Sequence, residues 1–150
     1  MTVTDDKNVI EQLLDLLQDS VDGLTAAAEM LSGSDRRELE ATFQGFATQR
    51  AKFSTELEAL AAAHGTNPEQ SGSVKAAVHR AWMSVKDTLS GSDPAGILEV
   101  AVLGEEHAVS TYTEALENEI SSGLRSVLEH QLLEVRRAHV EVRILSENAR

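Results

Sequence analysis

Apolar residues recur every three or four positions through most of this chain, the pattern of helices that each bury one face. The first stripe is Ile10, Leu14, Leu17, Val21, Leu24, Ala28 and Leu31. Thr4 is its expected N-cap, with Asp5 and Asp6 in the first turn and Gly33 just past the end, so the spacing predicts a helix from about Asp5 to Leu31. A second helix is expected from Ser34 or Asp35 to Gly65, with Pro68 barring continuation and the stripe Leu39, Phe43, Phe46, Arg50, Phe53, Leu57 and Leu60. A shorter third segment carrying Trp82 lies between Ser73 and Gly91, bounded by Ser-Gly turn signals. The fourth opens at Asp93-Pro94, an N-cap followed by proline at the first helical position, and runs to about Glu119 with the stripe Leu98, Val102, Val109, Tyr112 and Leu116. The fifth starts at Ser121 or Ser122, with the stripe Leu124, Leu128, Gln131, Val135, Ala138, Val142 and Leu145. No stretch alternates with period two for long enough to form a sheet.

These elements predict an all-α fold in one domain spanning residues 1–150. Short connections make antiparallel hairpins of the first two helices and of the last two. Between the hairpins, residues 66–92 are long enough to recross a helix of roughly thirty residues, about 45 Å. Two hairpins joined by a long crossover that holds a short fifth helix is the connectivity of a ferritin-like four-helix bundle.

In that topology the helix midpoints fall at one level, and polar residues interrupt the apolar stripes there. Glu105 lies on the fourth stripe, Arg50 at the centre of the second, Gln131 within a turn of the centre of the fifth, and Ser20 beside the first stripe. Removing a lone carboxylate from water costs several kcal/mol or more, so Glu105 requires a proton, a metal ion or a cationic partner. A di-iron layer needs two glutamates and two Glu-x-x-His pairs, and no Glu-x-x-His occurs in this sequence. A guanidinium stays charged when buried, repels a divalent cation and offers a carboxylate two parallel donors. Arg50 and Glu105 are therefore expected to form a buried ion pair, with Gln131 and the Tyr112 hydroxyl meeting the remaining donors and acceptors. No metal site is expected. Asp15, Asp19, Asp22 and Glu29 lie opposite the first stripe and are expected on a solvated face.

Composition narrows the partners. A net charge of -12, from 25 acidic against 13 basic residues, repels nucleic acid and anionic membrane surfaces. The absence of Cys excludes thiolate chemistry and Cys-ligated metals. The polar N-terminus has no apolar signal core, and the most apolar stretch, Gly96 to Leu103, is far short of the roughly 20 residues that span a bilayer, so a cytoplasmic location is expected.

The histidines suit structural roles. His64 stands where a cation favours a helix C-terminus, His79 shares the crossover with Arg80 and Trp82, and His107 and His130 fall off their stripes. His139, on the edge of the last stripe, is the one candidate ligand. No catalytic triad, nucleophile elbow or phosphate-binding loop is present, and no catalytic residue is assigned.

Five stretches occur in order along nearly the whole chain: Asp19-Ser20-Val21-Asp22-Gly23 with Ala27-Ala28-Glu29; Gln49-Arg50 with Phe53 and Glu56-Leu57; His79-Arg80-Ala81-Trp82; Gly104-Glu105-Glu106 with Tyr112 and Ala115-Leu116; and Gln131 with His139. Together they resemble the bacterial ferritin-like family called domain of unknown function 2383. The resemblance implies a four-helix bundle distantly related to rubrerythrins, with no assigned activity and a loose link to stress physiology. The chain departs from metal-binding relatives at its second and fifth helices, which argues against oxidase or iron-storage activity. The expectation is a non-enzymatic bundle that self-associates or binds a protein partner. The competing expectation is a metal-binding or di-metal oxidase protein that holds iron or another divalent metal through Glu105, Tyr112, Glu134 and His139.

Overall fold

A computed structural model describes residues 3–63 and 93–149. Over these residues the chain forms four helices and no strand: α1 (Val3–Ser32), α2 (Leu39–Ala63), α3 (Pro94–Ala115) and α4 (Ser122–Asn148). The short helix expected between Ser73 and Gly91, the path of the crossover, and His64, His79 and Trp82 lie outside the described residues. None of the described helices is long and apolar enough to cross a membrane.

Two apolar clusters fix how the helices run. One joins Val9 to Leu17 of α1 with Phe53, Leu57 and Ala61 of α2, Ala108 to Ala115 of α3, and Leu124 to Val135 of α4. The other joins Leu24 to Leu31 of α1 with Leu39 to Ala47 of α2, Ile97 to Ala101 of α3, and Val142 of α4. The beginning of α1 thus packs beside the end of α2, and the beginning of α3 beside the end of α4, so each sequential pair is an antiparallel hairpin. The ends of α2 and α3 share the first cluster, so these two helices run in the same direction. Ala63 and Pro94 consequently lie towards opposite ends of the bundle. The closest helix packing is within the hairpins and between α1 and α3, whereas α2 and α4 approach each other only sparsely.

The helix ends differ from the simplest sequence expectation for local reasons. α1 already includes Thr4, the residue expected to cap it. α2 starts at Leu39 rather than at Ser34 or Asp35. The Ser34 hydroxyl donates to Leu31 O at 2.7 Å and accepts from the Arg36 N–H at 3.0 Å, and this local pairing competes with helical geometry over the next turn. α3 stops at Ala115 rather than near Glu119, because the Asn118 side-chain amide donates to the carbonyls of Glu114 and Ala115, both at 3.2 Å. Arg125 then clamps the turn, donating to Leu116 O and Asn118 O at 3.0 Å each. Asp93 stands at the N-cap of α3 with Pro94 following, but its side chain makes no capping bond. Ser121 does cap α4, accepting from the Leu124 N–H at 3.3 Å.

Burial follows the predicted stripes on α1, α2 and α4 with one broadening, while on α3 Val102, Val109 and Leu116 are only half-buried and Ala101, Ala108 and Ala115 are buried beside them. α1 buries a second line, Val9, Leu16, Gly23 and Met30, because it packs against both α2 and α3. Asp15, Asp19 and Asp22 are therefore half-buried at the edge of that wider face rather than fully solvated, while Glu29 is exposed as expected.

Candidate functional site: a polar layer between two apolar clusters

The apolar clusters leave a gap at mid-bundle, and Arg50 and Glu105 fill it. Arg50 is wholly buried and Glu105 is 2% exposed. Arg50 Nη1 donates to Glu105 Oε2 at 2.8 Å and Nη2 donates to Oε1 at 2.5 Å, a two-pronged guanidinium–carboxylate pair. The pair reaches from α2 to α3, two helices on opposite corners of the bundle. Arg50 Nε has a longer bond to Gln49 Oε1 at 3.4 Å.

A second polar chain lies about two turns further along α3, inside the first cluster. The Tyr112 hydroxyl donates to Gln131 Oε1 at 2.6 Å. Gln131 Nε2 in turn donates to Glu56 Oε1 at 2.9 Å and to Phe53 O at 3.3 Å. Gln131 is wholly buried, so its amide serves as a spacer between α2, α3 and α4 with both ends satisfied. Burial pushes the Tyr112 phenol far above its ordinary range; the Arg50 guanidinium draws it back in part, and Glu56 pushes it up. Gln131 and Tyr112 were expected to complete the Arg50–Glu105 pair, but their hydrogen bonds go to each other and to α2. Glu56, a link in this chain, carries no signal in the stripe pattern because it flanks the apolar line.

Ser20 is half-buried at the level of the ion pair and lines a cavity of about 180 Å³. Leu16, Asp19, Gly23 and Leu24 of α1 form one wall; Ala101, Gly104, Glu105 and His107 of α3 form the other. Gly23 and Gly104 both line this space and contribute no side chain to it.

The residues of the metal-binding alternative are not gathered round a common point. Glu105 is held by Arg50, and Tyr112 by Gln131. Glu134 accepts from Arg137 Nη1 at 2.7 Å near the surface, and His139 Nε2 lies 3.8 Å from Glu106 Oε1. Among the described residues no group of three or more His, Asp or Glu side chains is placed to hold a metal ion. With a guanidinium fixed at this level, the donor set does not fit a divalent cation.

One further contact escaped the sequence pattern. Asp6, read as an ordinary first-turn acid, is buried, and its carboxylate accepts from the Ser121 N–H at 2.9 Å and from the Ser121 hydroxyl at 2.6 Å. It ties the first turn of α1 to the N-cap of α4.

Compared with curated proteins, the chain has no match in sequence. The family described as Domain of unknown function (DUF2383) matches residues 8–118, a span that begins in the first turns of α1, contains Arg50, Glu105 and Tyr112, and ends just past α3. Since that match covers most of the chain and both partners of the ion pair, the protein belongs to the DUF2383 family.

Proposed function

We propose that this protein is a non-enzymatic, ferritin-like bundle distantly related to rubrerythrins, in which a fixed ion pair stands where a di-metal centre would otherwise lie, and that it acts by self-association or by binding a protein partner. The observation that carries this reading is the two-pronged Arg50–Glu105 pair between the apolar clusters. It supplies Glu105 with its counter-charge from within the fold. A surface role draws support from α4, whose outward line Leu133, Val140 and Ile144 is 44–50% exposed, with Arg136, Arg137 and Arg143 close by in an otherwise acidic chain. Apolar side chains aligned on a solvent face mark interaction surfaces more often than scattered ones do. No nucleic acid or membrane is proposed as partner, given the net charge of -12.

Two measurements test the reading. Protein purified without chelator and incubated aerobically with ferrous iron should retain no stoichiometric metal, and a tightly held complement of iron would overturn the metal-free layer. Sedimentation velocity over a range of concentrations, or co-purification with a partner, should reveal association that Ile144→Glu abolishes without loss of helix content. Association unaffected by that charge would remove the α4 face from the proposal.

A further inference from the structure

The space beside Glu105 plays no part in the proposed surface role, and its wall has its own chemistry. Leu16, Leu24 and Ala101 make that wall predominantly apolar. Gly23 and Gly104 stand in helix interiors, where glycine is less favourable than every residue but proline, and neither puts a side chain into the space. Close packing does not require the second of them. A Cβ built on Gly104 meets no atom within 4 Å, so alanine would fit there, and what glycine preserves is the opening itself. At about 180 Å³ the cavity is comparable with an apolar cavity of about 150 Å³ that admits benzene. Gly104 and His107 line it and are exposed, so it can be reached from solvent on the α3 side.

The polar groups of the wall select the charge of a ligand. Glu105 is balanced by Arg50, and Asp19 already has a partner within the protein. Neither carboxylate is left to compensate a positive charge brought out of water, and both disfavour a negative one. Two neutral hydrogen-bonding functions remain. A carboxylate accepts at about four lone-pair positions, so Glu105 keeps acceptor capacity beyond its two bonds from Arg50, and the Ser20 hydroxyl both donates and accepts. From this geometry we infer that the cavity between α1 and α3 binds a small neutral phenol: one ring of benzene size bearing a hydroxyl. The ring fills the volume between Leu16, Leu24 and Ala101. Its hydroxyl donates to Glu105 and accepts from the Ser20 hydroxyl, which a plain hydrocarbon ring cannot do.

Calorimetric titration of the full chain with phenol tests the inference, with toluene, which carries a methyl group in place of the hydroxyl, as the comparison. Phenol should bind saturably at one site per chain. Toluene is the more apolar of the two, so burial alone would favour it; the hydrogen bond to a carboxylate should reverse that order. Ser20→Ala should weaken phenol about fivefold, the factor expected for one neutral hydrogen bond, and leave toluene unchanged. Benzylamine and benzoate, rings bearing a positive and a negative charge, should each bind at least about tenfold more weakly than phenol. Gly104→Leu, which places a side chain in the opening, should weaken phenol and toluene alike while circular dichroism shows unchanged helix. On the unaltered protein, phenol should shift the backbone amide resonances of residues 16–24 and 101–107. No saturable binding of phenol, toluene bound as tightly as phenol, tighter binding of either charged ring, equal losses of phenol and toluene in Ser20→Ala, unaltered binding in folded Gly104→Leu, or resonance shifts confined to other residues would each overturn the inference. If Gly104→Leu does not fold, the Ser20→Ala comparison and the resonance shifts decide.

Discussion

Arg50 and Glu105 each need the other. A buried ion pair need not be worth more than apolar residues of the same volume, because desolvating two charges offsets much of their attraction. Removing one partner is different, since it strands a charge at a position with almost no access to water. Arg50→Met should therefore lower the unfolding free energy by about 3–5 kcal/mol. Adding Glu105→Gln should recover part of that loss in denaturant titrations, and strictly additive losses would mean that the two side chains do not interact. Tyr112 yields a pH dependence. Its neutral form is favoured in the fold, so the folded chain keeps the phenolic proton above about pH 10, where the unfolded chain releases it. The unfolded state then binds fewer protons, and stability is fully present below about pH 10 and falls as pH rises beyond it, by up to about 1.4 kcal/mol per unit. Tyr112 is the only tyrosine, so its ultraviolet band reads this group alone. Ionisation should coincide with unfolding, and Tyr112→Phe should flatten the alkaline slope while losing the bond to Gln131. A smooth titration at the ordinary phenol range in folded protein would contradict the buried placement.

The helices themselves were the most legible part of the chain. The stripes of α1, α2 and α4 match the buried residues closely because a helix with one buried face writes its 3.6-residue period directly into the sequence. On α3 the stripe was displaced. Ile97, Ala101, Ala108 and Ala115 are buried, whereas Val102, Val109 and Leu116 are only half-buried. Close packing of α3 against α1 favours small side chains, and counting the largest apolar residues misses them. The ends were less legible, since Ser34 and Asn118 redirect the backbone through side-chain bonds that a cap rule does not anticipate. Asp6 is the clearest case at this scale. Asp6→Ala should cost about 1–3 kcal/mol because it leaves the Ser121 N–H and hydroxyl without their acceptor. Combined with Ser121→Ala the losses should be less than additive, both residues belonging to one network that also caps α4. Full additivity in thermal or urea unfolding would show that the two helices are not coupled there.

At the scale of the whole molecule, the polar layer divides one bundle into two apolar clusters with no shared buried residue. Leu57 belongs to one and Leu98 to the other, both wholly buried. Leu57→Ala and Leu98→Ala should each cost about 2–5 kcal/mol, and their losses should add, since no common cavity couples them. A coupling well beyond experimental error would mean that the layer transmits packing between the halves. The sequence by itself determined that the chain is helical, which faces its helices bury, and that a cation and a carboxylate interrupt those faces at the same level, because periodicity and charge are properties of local residue order. It also singled out Arg50 as the partner of Glu105, since few buried cations were available. Only the tertiary structure decided that Gln131 pairs with Tyr112 and Glu56, that Asp6 reaches across to Ser121, and that Gly23 and Gly104 line one cavity. Those outcomes depend on the rotation and spacing of one helix against another, which ångström-scale packing sets and no single helix encodes.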